Sequence, residues 1–529
     1  MVISRDGIVA SEHPLASQAG AMVLAKGGTA IDAAVAANAA MAVVAPMMCG
    51  MGGDLFAIVY EAKTGKLFGL NASGWSPAGL TPEFLKGQGI ETMPISGIHA
   101  VTVPGAVAGW QSLIERFGRT GFSVDLSAAI HYAENGFPVT EWVAAYWAAG
   151  ETLLRTDPNA TKTFLPEGRA PHVGEIFRNP DLAWAYRQIV QSGGRAFYEG
   201  AIAERLVKFS QSKGGTLKTD DFREFSAEWV EPISTTYRGW TVYEIPPNGQ
   251  GIAALAMLNL MEGFPIGEFG HNSPRALHAM IESKKLAYSD MLRFVADQRF
   301  SNVPVDGILS KEYGKKRFGL IDMERSNCDV AAGRPIEAGP DTTYLSAVDS
   351  EGNMVSLIQS IYYAFGSGLV ADGTGFPLQN RGGLFTLNSD RPNYLAGRKR
   401  PLHTIIPGFM AKGETRIAFG IMGGWNQSQA HAQFVSNLVD HGMNIQAALE
   451  APRFTKITFE GCDVIMEQRI PVDIRAELES MGHEIDVRGD YTSSAGGGQA
   501  VMRDYSTGIN FGASDPRKDG AAIPEPSGY

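Results

Sequence analysis

The stretch TTYLSAVDSEGNMVSLIQS, residues 342–360, constrains the fold more than any other. TTYLSAV alternates, DSEGN has the composition of a turn, and MVSLIQS runs back, so the spacing predicts an antiparallel hairpin. Its paired residue numbers should sum to 702 or 703, which places Ser360 within a residue of lying opposite Thr342. Upstream, the region from Gly314 to Pro340 is irregular and charged, and it ends in GRPIEAGPD, which reads as an exposed loop. Downstream of Asp341 the pattern becomes short strands separated by glycine turns, with one helical piece near SQAHAQFVSNLVDHGMNIQAALEAPRF.

The amino-terminal half is richer in helices. Residues 12–46 predict two, with Pro14 in a first turn, Gly27 and Gly28 as a stop, and Thr29 capping an alanine-rich second helix. A glycine cluster in MCGMGGDLFAIVYEAKTGKLFGLNASG then leads into strand, Thr64–Gly65 turn and strand. Helical patterns dominate residues 105–230, and YRGWTVYEIPPNGQGIAALAMLNLMEGF reads as strand, turn and helix. The fold class expected is mixed α/β.

With 529 residues, 44% of them hydrophobic and 19% charged, the chain is long enough for a large core. A net charge of −11 without a long basic run excludes a general nucleic-acid surface. Cys49, Cys328 and Cys462 are far apart and in no CxxC pair, so neither a disulfide framework nor a zinc knuckle is expected. The ten histidines include no HExxH, and no metal site or cofactor is expected. The glycine clusters lack the context of a phosphate cradle. The sequence shows no export signal and no membrane span, which points to the cytoplasm.

The chemistry centres on Thr342. A strand threonine is ordinarily structural, but an exposed loop before it makes the Asp341–Thr342 bond open to cleavage. Thr342 would then carry a free α-amine beside its own hydroxyl. An α-amine with an ordinary pKa of about 7.7–8.0 is partly neutral at pH 7 and can take the hydroxyl proton during attack on a carbonyl. Ser360 is placed to orient that hydroxyl. Gly423 and Gly424, at the end of an apolar strand in FGIMGGWNQSQ, read either as a tight turn or as backbone donors for an oxyanion.

At these residues the chain resembles the gamma-glutamyltransferase family of N-terminal nucleophile (Ntn) hydrolases. The likeness is carried by VASEHPLASQAGAMVLAKGGTAIDAAVAANAAMAVVAP, GMGGDLF, VPGAVAGW, YRGWTVYEIPP, TTYLSAVDSEGNMVS, FGSG, KRPLHTIIP, GGWNQSQ, APRF and GASDPR. The resemblance implies a four-layer αββα fold made as a precursor that cleaves itself between Asp341 and Thr342. The products would be a large chain, 1–341, and a small chain, 342–529, which stay together as one intertwined heterodimer. It also implies Thr342 as nucleophile, Ser360 in the place of a threonine that bonds to it, and Gly423 with Gly424 as oxyanion donors.

Several positions depart from the family pattern. Ser73 stands where the family's gamma-glutamyl enzymes use an arginine for the substrate α-carboxylate, Leu384 where they use an acidic residue for the α-amine, and Tyr362 where they use an asparagine. Two adjacent serines are here His403 and Thr404. Arg381, beside Asn380, is the expected replacement: its guanidinium can bind a carboxylate through two hydrogen bonds, with His403 as a further donor. These residues fit a small carboxylated amide without an α-amine, and among family members of that kind the chain most resembles those acting on oxamate, which implies hydrolysis of oxamate to oxalate and ammonia in purine breakdown as the leading expectation. Gamma-glutamyl or glutaryl amides are the alternative, and a non-catalytic binding protein of the same fold is a second. Neither nucleic acid nor membrane is an expected partner.

Overall fold

The computed structural model describes residues 1–330 and 341–527. Two seven-stranded sheets form its centre, and every strand pairing within them is antiparallel. The first sheet runs in the order Ala521–Pro524, Ile8–Ser11, Asp341–Val348, Met354–Tyr362, Asp54–Glu61, Lys66–Ala72 and Glu228–Val230. The second runs Val2–Ser4, Ile509–Ser514, Gly498–Asp504, Thr415–Ile421, Gly408–Lys412, Trp240–Glu244 and Ile233–Tyr237. Both sheets mix strands from the two sides of residue 342.

Three apolar layers explain the stacking, because each face of a sheet must be covered. Between the sheets lie Ile8, Phe56, Ile58, Tyr344, Ile358, Phe409, Ala418 and Val501, all fully buried. The outer face of the first sheet packs Leu345, Ala347, Val355 and Leu357 against the alanine-rich helix Ala30–Val44. The outer face of the second packs Met410, Ile417 and Phe419 against Gly251–Met261, Pro274–Phe294 and Gln427–Val439. The result is the four-layer αββα arrangement. Small side chains allow this closeness. Ala30–Val44 is buried along its whole length, as expected for a helix apolar on every side.

Local signals hold closely in the amino-terminal region. Helices run Pro14–Ala25 and Ala30–Val44, and Thr29 forms a reciprocal capping box with Asp32. The expected hairpin is present: Thr343 pairs with Gln359 and Val348 with Met354, sums of 702, while Asp341 pairs with Tyr362. Between those registers Ser360 and Ile361 together face Thr342, a bulge in the return strand that re-aims a side chain. The expected loop over 333–340 lies outside the described residues.

The strand, turn and helix expected over YRGWTVYEIPPNGQGIAALAMLNLMEGF are present as Trp240–Glu244 and Gly251–Met261, while Arg238 and Gly239, both at positive φ, form the hairpin corner to Ile233–Tyr237. Two readings change. The carboxy-terminal region holds Gln427–Val439, Ile445–Glu450 and also Val472–Ser480, not one helical piece. Cys328 and Cys462 are joined in a disulfide across 134 residues, where no disulfide framework was expected, while Cys49 is free and buried. Sequence distance hid the pair, since only the fold brings them together.

The two sheets meet closely at one point. A Cβ added to Gly420 would lie 2.4 Å from the ring of Tyr344, so this strand can approach only as glycine. The Tyr344 hydroxyl hydrogen-bonds Ser356 Oγ at 2.8 Å, which anchors the ring. Gly420→Ala should therefore destabilise the protein by about 1–3 kcal/mol through overpacking, read as a lower denaturant midpoint. An unchanged midpoint would show that the sheets have slack here.

Candidate active site

The site is built at the ends of three strands. Thr342 is the second residue of the strand Asp341–Val348, Ser360 lies near the end of its partner Met354–Tyr362, and Asp54 begins the next strand, directly opposite Ser360. All three side chains are fully buried. Thr342 Oγ1 lies 3.3 Å from Ser360 Oγ. Ser360 Oγ also accepts from the Tyr362 N–H at 2.8 Å and from Arg381 Nη2 at 2.9 Å. The bulge therefore links the threonine hydroxyl to a guanidinium through one serine.

Arg381 stands in the short 3-10 turn Arg381–Leu384 and is itself fully buried. Its Nη1 donates to Thr404 Oγ1 at 2.7 Å, and its guanidinium carbon lies 4.4 Å from the centre of the Tyr362 ring. Among the described side chains no carboxylate comes within ion-pair distance of it. Burial brings its pKa down to about 10, partly offset by the charge of Asp54. Tyr362 adopts φ 82°, a rare conformation for a bulky residue. That conformation accompanies the seating of its ring against the guanidinium.

Asp54 organises the surrounding chain. Its Oδ1 accepts from the Gly74 N–H at 2.8 Å, the Gly105 N–H at 3.2 Å and Gln379 Nε2 at 2.8 Å, and its Oδ2 accepts from His403 Nε2 at 3.0 Å. His403 Nδ1 in turn accepts from the Ile405 N–H at 3.3 Å. Burial, reinforced by the positive charge of Arg381, lowers the His403 pKa to about 4, so the ring is neutral at pH 7. Its single N–H is committed to Asp54, which places His403 in the support of the site and leaves it no donor for a substrate. Asn380 is similarly engaged with backbone, accepting from the Tyr363 N–H at 3.1 Å and donating to the Ile95 carbonyl at 2.6 Å.

Gly423 and Gly424 follow the strand Thr415–Ile421, three and four residues beyond the contact of Gly420 with Tyr344. They have φ of 117° and 55°, respectively. These left-handed conformations suit glycine. Among the described residues, neither N–H donates to a protein acceptor, whereas the Gly424 carbonyl accepts from Gln250 Nε2 at 2.6 Å. Two adjacent, uncommitted N–H groups at a strand end are the geometry an oxyanion needs.

Sequence reasoning missed Asp54 and Asn248. Asn248 Nδ2 donates to Ser73 Oγ at 3.1 Å and to the Pro401 carbonyl at 2.7 Å, and its Oδ1 accepts from Asn71 at 2.9 Å. Ser73, where the family uses an arginine, is thus tied into an amide cluster. An acidic residue inside a glycine cluster, immediately before an apolar strand, was the available signal for Asp54.

Beside these residues a cavity of about 760 Å³ is lined by Leu292, Leu384, Phe385, Leu402, Trp425 and Phe459, among others. Leu402 adjoins His403 in sequence, Trp425 adjoins Gly424, and Leu384 ends the Arg381 turn. Its walls are mixed, because Glu91, Thr92, Asn388, Arg391 and Asn393 line it as well.

The pKa of His403 gives a signed expectation. A histidine whose folded pKa is depressed contributes stability that is complete above its unfolded value near 6.5 and is lost as pH falls toward 4. The stability difference between the native protein and His403→Gln should shrink across that window, by at most about 3 kcal/mol. Comparing the two proteins isolates this group from Asp125, whose carboxyl is pushed up to about 8 by burial and acts in the opposite sense. Denaturant unfolding at pH 7 and pH 4.5 measures it, and a pH-independent difference would mean the ring is not held neutral.

The comparisons with known proteins agree with this geometry. The gamma-glutamyltranspeptidase family model matches residues 16–525. The glutathione hydrolase-like YwrD proenzyme of Bacillus subtilis is 37% identical over 99% of both chains. The oxamate amidohydrolase proenzyme of Klebsiella pneumoniae is 33% identical over 98% of both. The crystal structure of cephalosporin acylase from Bacillus halodurans superposes with a TM-score of 0.92 at 43% identity, over 99% of this chain and 96% of that one. A family model matched over nearly the whole chain, relatives of more than 30% identity over 98–99% of it and an αββα sandwich place this protein in the gamma-glutamyltranspeptidase family of Ntn amidohydrolases.

Proposed function

We propose that the chain cleaves itself between Asp341 and Thr342 and then hydrolyses linear amides whose acyl part carries a carboxylate. The observation that carries this reading is the chain of contacts from Thr342 through Ser360 to Arg381, a buried cation without a carboxylate partner among the described side chains. A buried charge is costly unless paired, and a substrate carboxylate supplies the missing partner. Ser73 and Leu384 offer no ionic site for an amino-acid head group, which disfavours gamma-glutamyl substrates.

In the reaction, Thr342 Oγ1 attacks the amide carbon while the freed α-amine takes its proton. The N–H groups of Gly423 and Gly424 receive the oxyanion. The protonated amine returns a proton to the departing nitrogen, which leaves as ammonia or an amine, and the acyl group remains as an ester on Thr342. Water, deprotonated by the same α-amine, then releases the acid. The two-chain product remains together because strands of both portions alternate in both sheets.

Acyl length is the remaining variable. A cavity of about 760 Å³ has room for an acyl group longer than oxalyl, such as glutaryl. The likeness to an oxamate amidohydrolase keeps oxamate as the second reading. Purified protein should show a Thr at the amino terminus of its smaller band on a reducing gel, and Thr342→Ala should stay uncut. Release of amine from glutaryl-para-nitroanilide faster than ammonia from oxamate supports the longer acyl group, and the reverse order selects oxamate.

Arg381 provides a second test. Arg381→Gln should raise KM for a carboxylated amide by about tenfold or more, the loss of one charge-assisted pair. The rate on the matching methyl ester of the substrate should change much less. Equal losses on both would assign Arg381 to holding Ser360 and not to binding the carboxylate.

A further inference from the structure

The two portions that flank the Asp341–Thr342 bond meet again at the disulfide. Cys328 lies before that bond and Cys462 after it. We propose that Cys328–Cys462 is an inter-chain bond of the processed enzyme, and that it holds Phe459 in the wall of the substrate cavity. The inference rests on self-cleavage as read above.

The surroundings form a built anchor. The stretch Ser326–Cys328 is held by several contacts besides the disulfide, one of them to the Lys456–Asp463 loop. The Gly461 N–H donates to the Cys328 carbonyl at 3.2 Å, and the Ser326 N–H donates to the Met481 carbonyl at 2.7 Å. Lys285 Nζ, buried, donates to Ser326 Oγ at 2.8 Å, the Asn327 carbonyl at 3.0 Å and Glu282 Oε1 at 2.7 Å. His278, Glu282 and His483 also converge here, with candidate ligand atoms within 4.8 Å of one another. However, the two rings hydrogen-bond each other at 2.8 Å and the Lys285 ammonium occupies the carboxylate. The cluster therefore braces the chain and offers no cation site.

On the cavity side, Lys456 Nζ shapes the same loop by donating to Thr458 Oγ1 at 2.7 Å, the Glu460 carbonyl at 2.9 Å and Asp463 Oδ1 at 2.8 Å. Lys284 Nζ holds the Thr458 carbonyl at 2.7 Å. Phe459 projects from the middle of this loop to meet Trp425 edge to face at 5.2 Å, and both rings line the cavity. Trp425 directly follows Gly424. The cross-link is thus three residues from an aromatic wall whose partner adjoins the proposed oxyanion donors. Severing the bond, by a dithiol that gives two electrons and two protons and is itself oxidised to a disulfide, loosens the loop at that end.

Denaturing gels of processed protein, thiols blocked with N-ethylmaleimide, test the covalent claim. One band without dithiothreitol and two with it is the expected pattern. Two bands in both lanes would leave processing intact and overturn the cross-link. A single band in both lanes would overturn processing and with it the inter-chain bond. For Phe459, Cys462→Ser and, separately, dithiothreitol-treated native protein should raise KM for glutaryl-para-nitroanilide several-fold while kcat changes less. Agreement between the two separates the effect from misfolding of the variant. Unchanged KM in both would show that Phe459 is held without the disulfide.

Discussion

The buried carboxylate of Asp54 is the interaction on which the site depends. One oxygen gathers N–H donors from Gly74, Gly105 and Gln379, which belong to three separate segments, and the other fixes the ring of His403. Hydrogen bonds to a charged acceptor in a low-dielectric interior are stronger than neutral ones. Each segment is thereby pinned to the start of the strand that pairs with Ser360. Losing this carboxylate would leave several buried donors unsatisfied at once, a cost concentrated at that end of the sheet.

The electrostatics around that carboxylate follow from burial. A neutral His403 avoids a second cation beside Arg381, and Asp54 offsets the guanidinium charge without pairing to it directly. The threonine is therefore linked through Ser360 to a fixed positive charge.

Much of this was legible in the sequence because it is local. The pairing of the 341–362 hairpin followed from alternation and a turn, and the Thr29 cap from a single hydroxyl before an alanine run. Thr342, Ser360 and the glycine pair could be singled out as candidates because they sit within short patterns. Asp54, Asn248 and the disulfide were not, since their partners lie between 20 and 349 residues away. His403 illustrates the limit: its position in the site was legible, whereas its orientation toward Asp54 depends on a contact that no spacing encodes.

The interleaving of the sheets has a consequence for what maturation is. In the first sheet the Asp341–Val348 strand is clamped between Ile8–Ser11 and its own hairpin partner, which in turn pairs with Asp54–Glu61. Taken separately, residues before and after 342 would each present long rows of unpaired strand edges. Neither is a folding unit, so the information for the tertiary structure belongs to the unbroken polypeptide. Cutting one peptide bond then edits a finished object, and creates a new terminus inside it without creating two proteins.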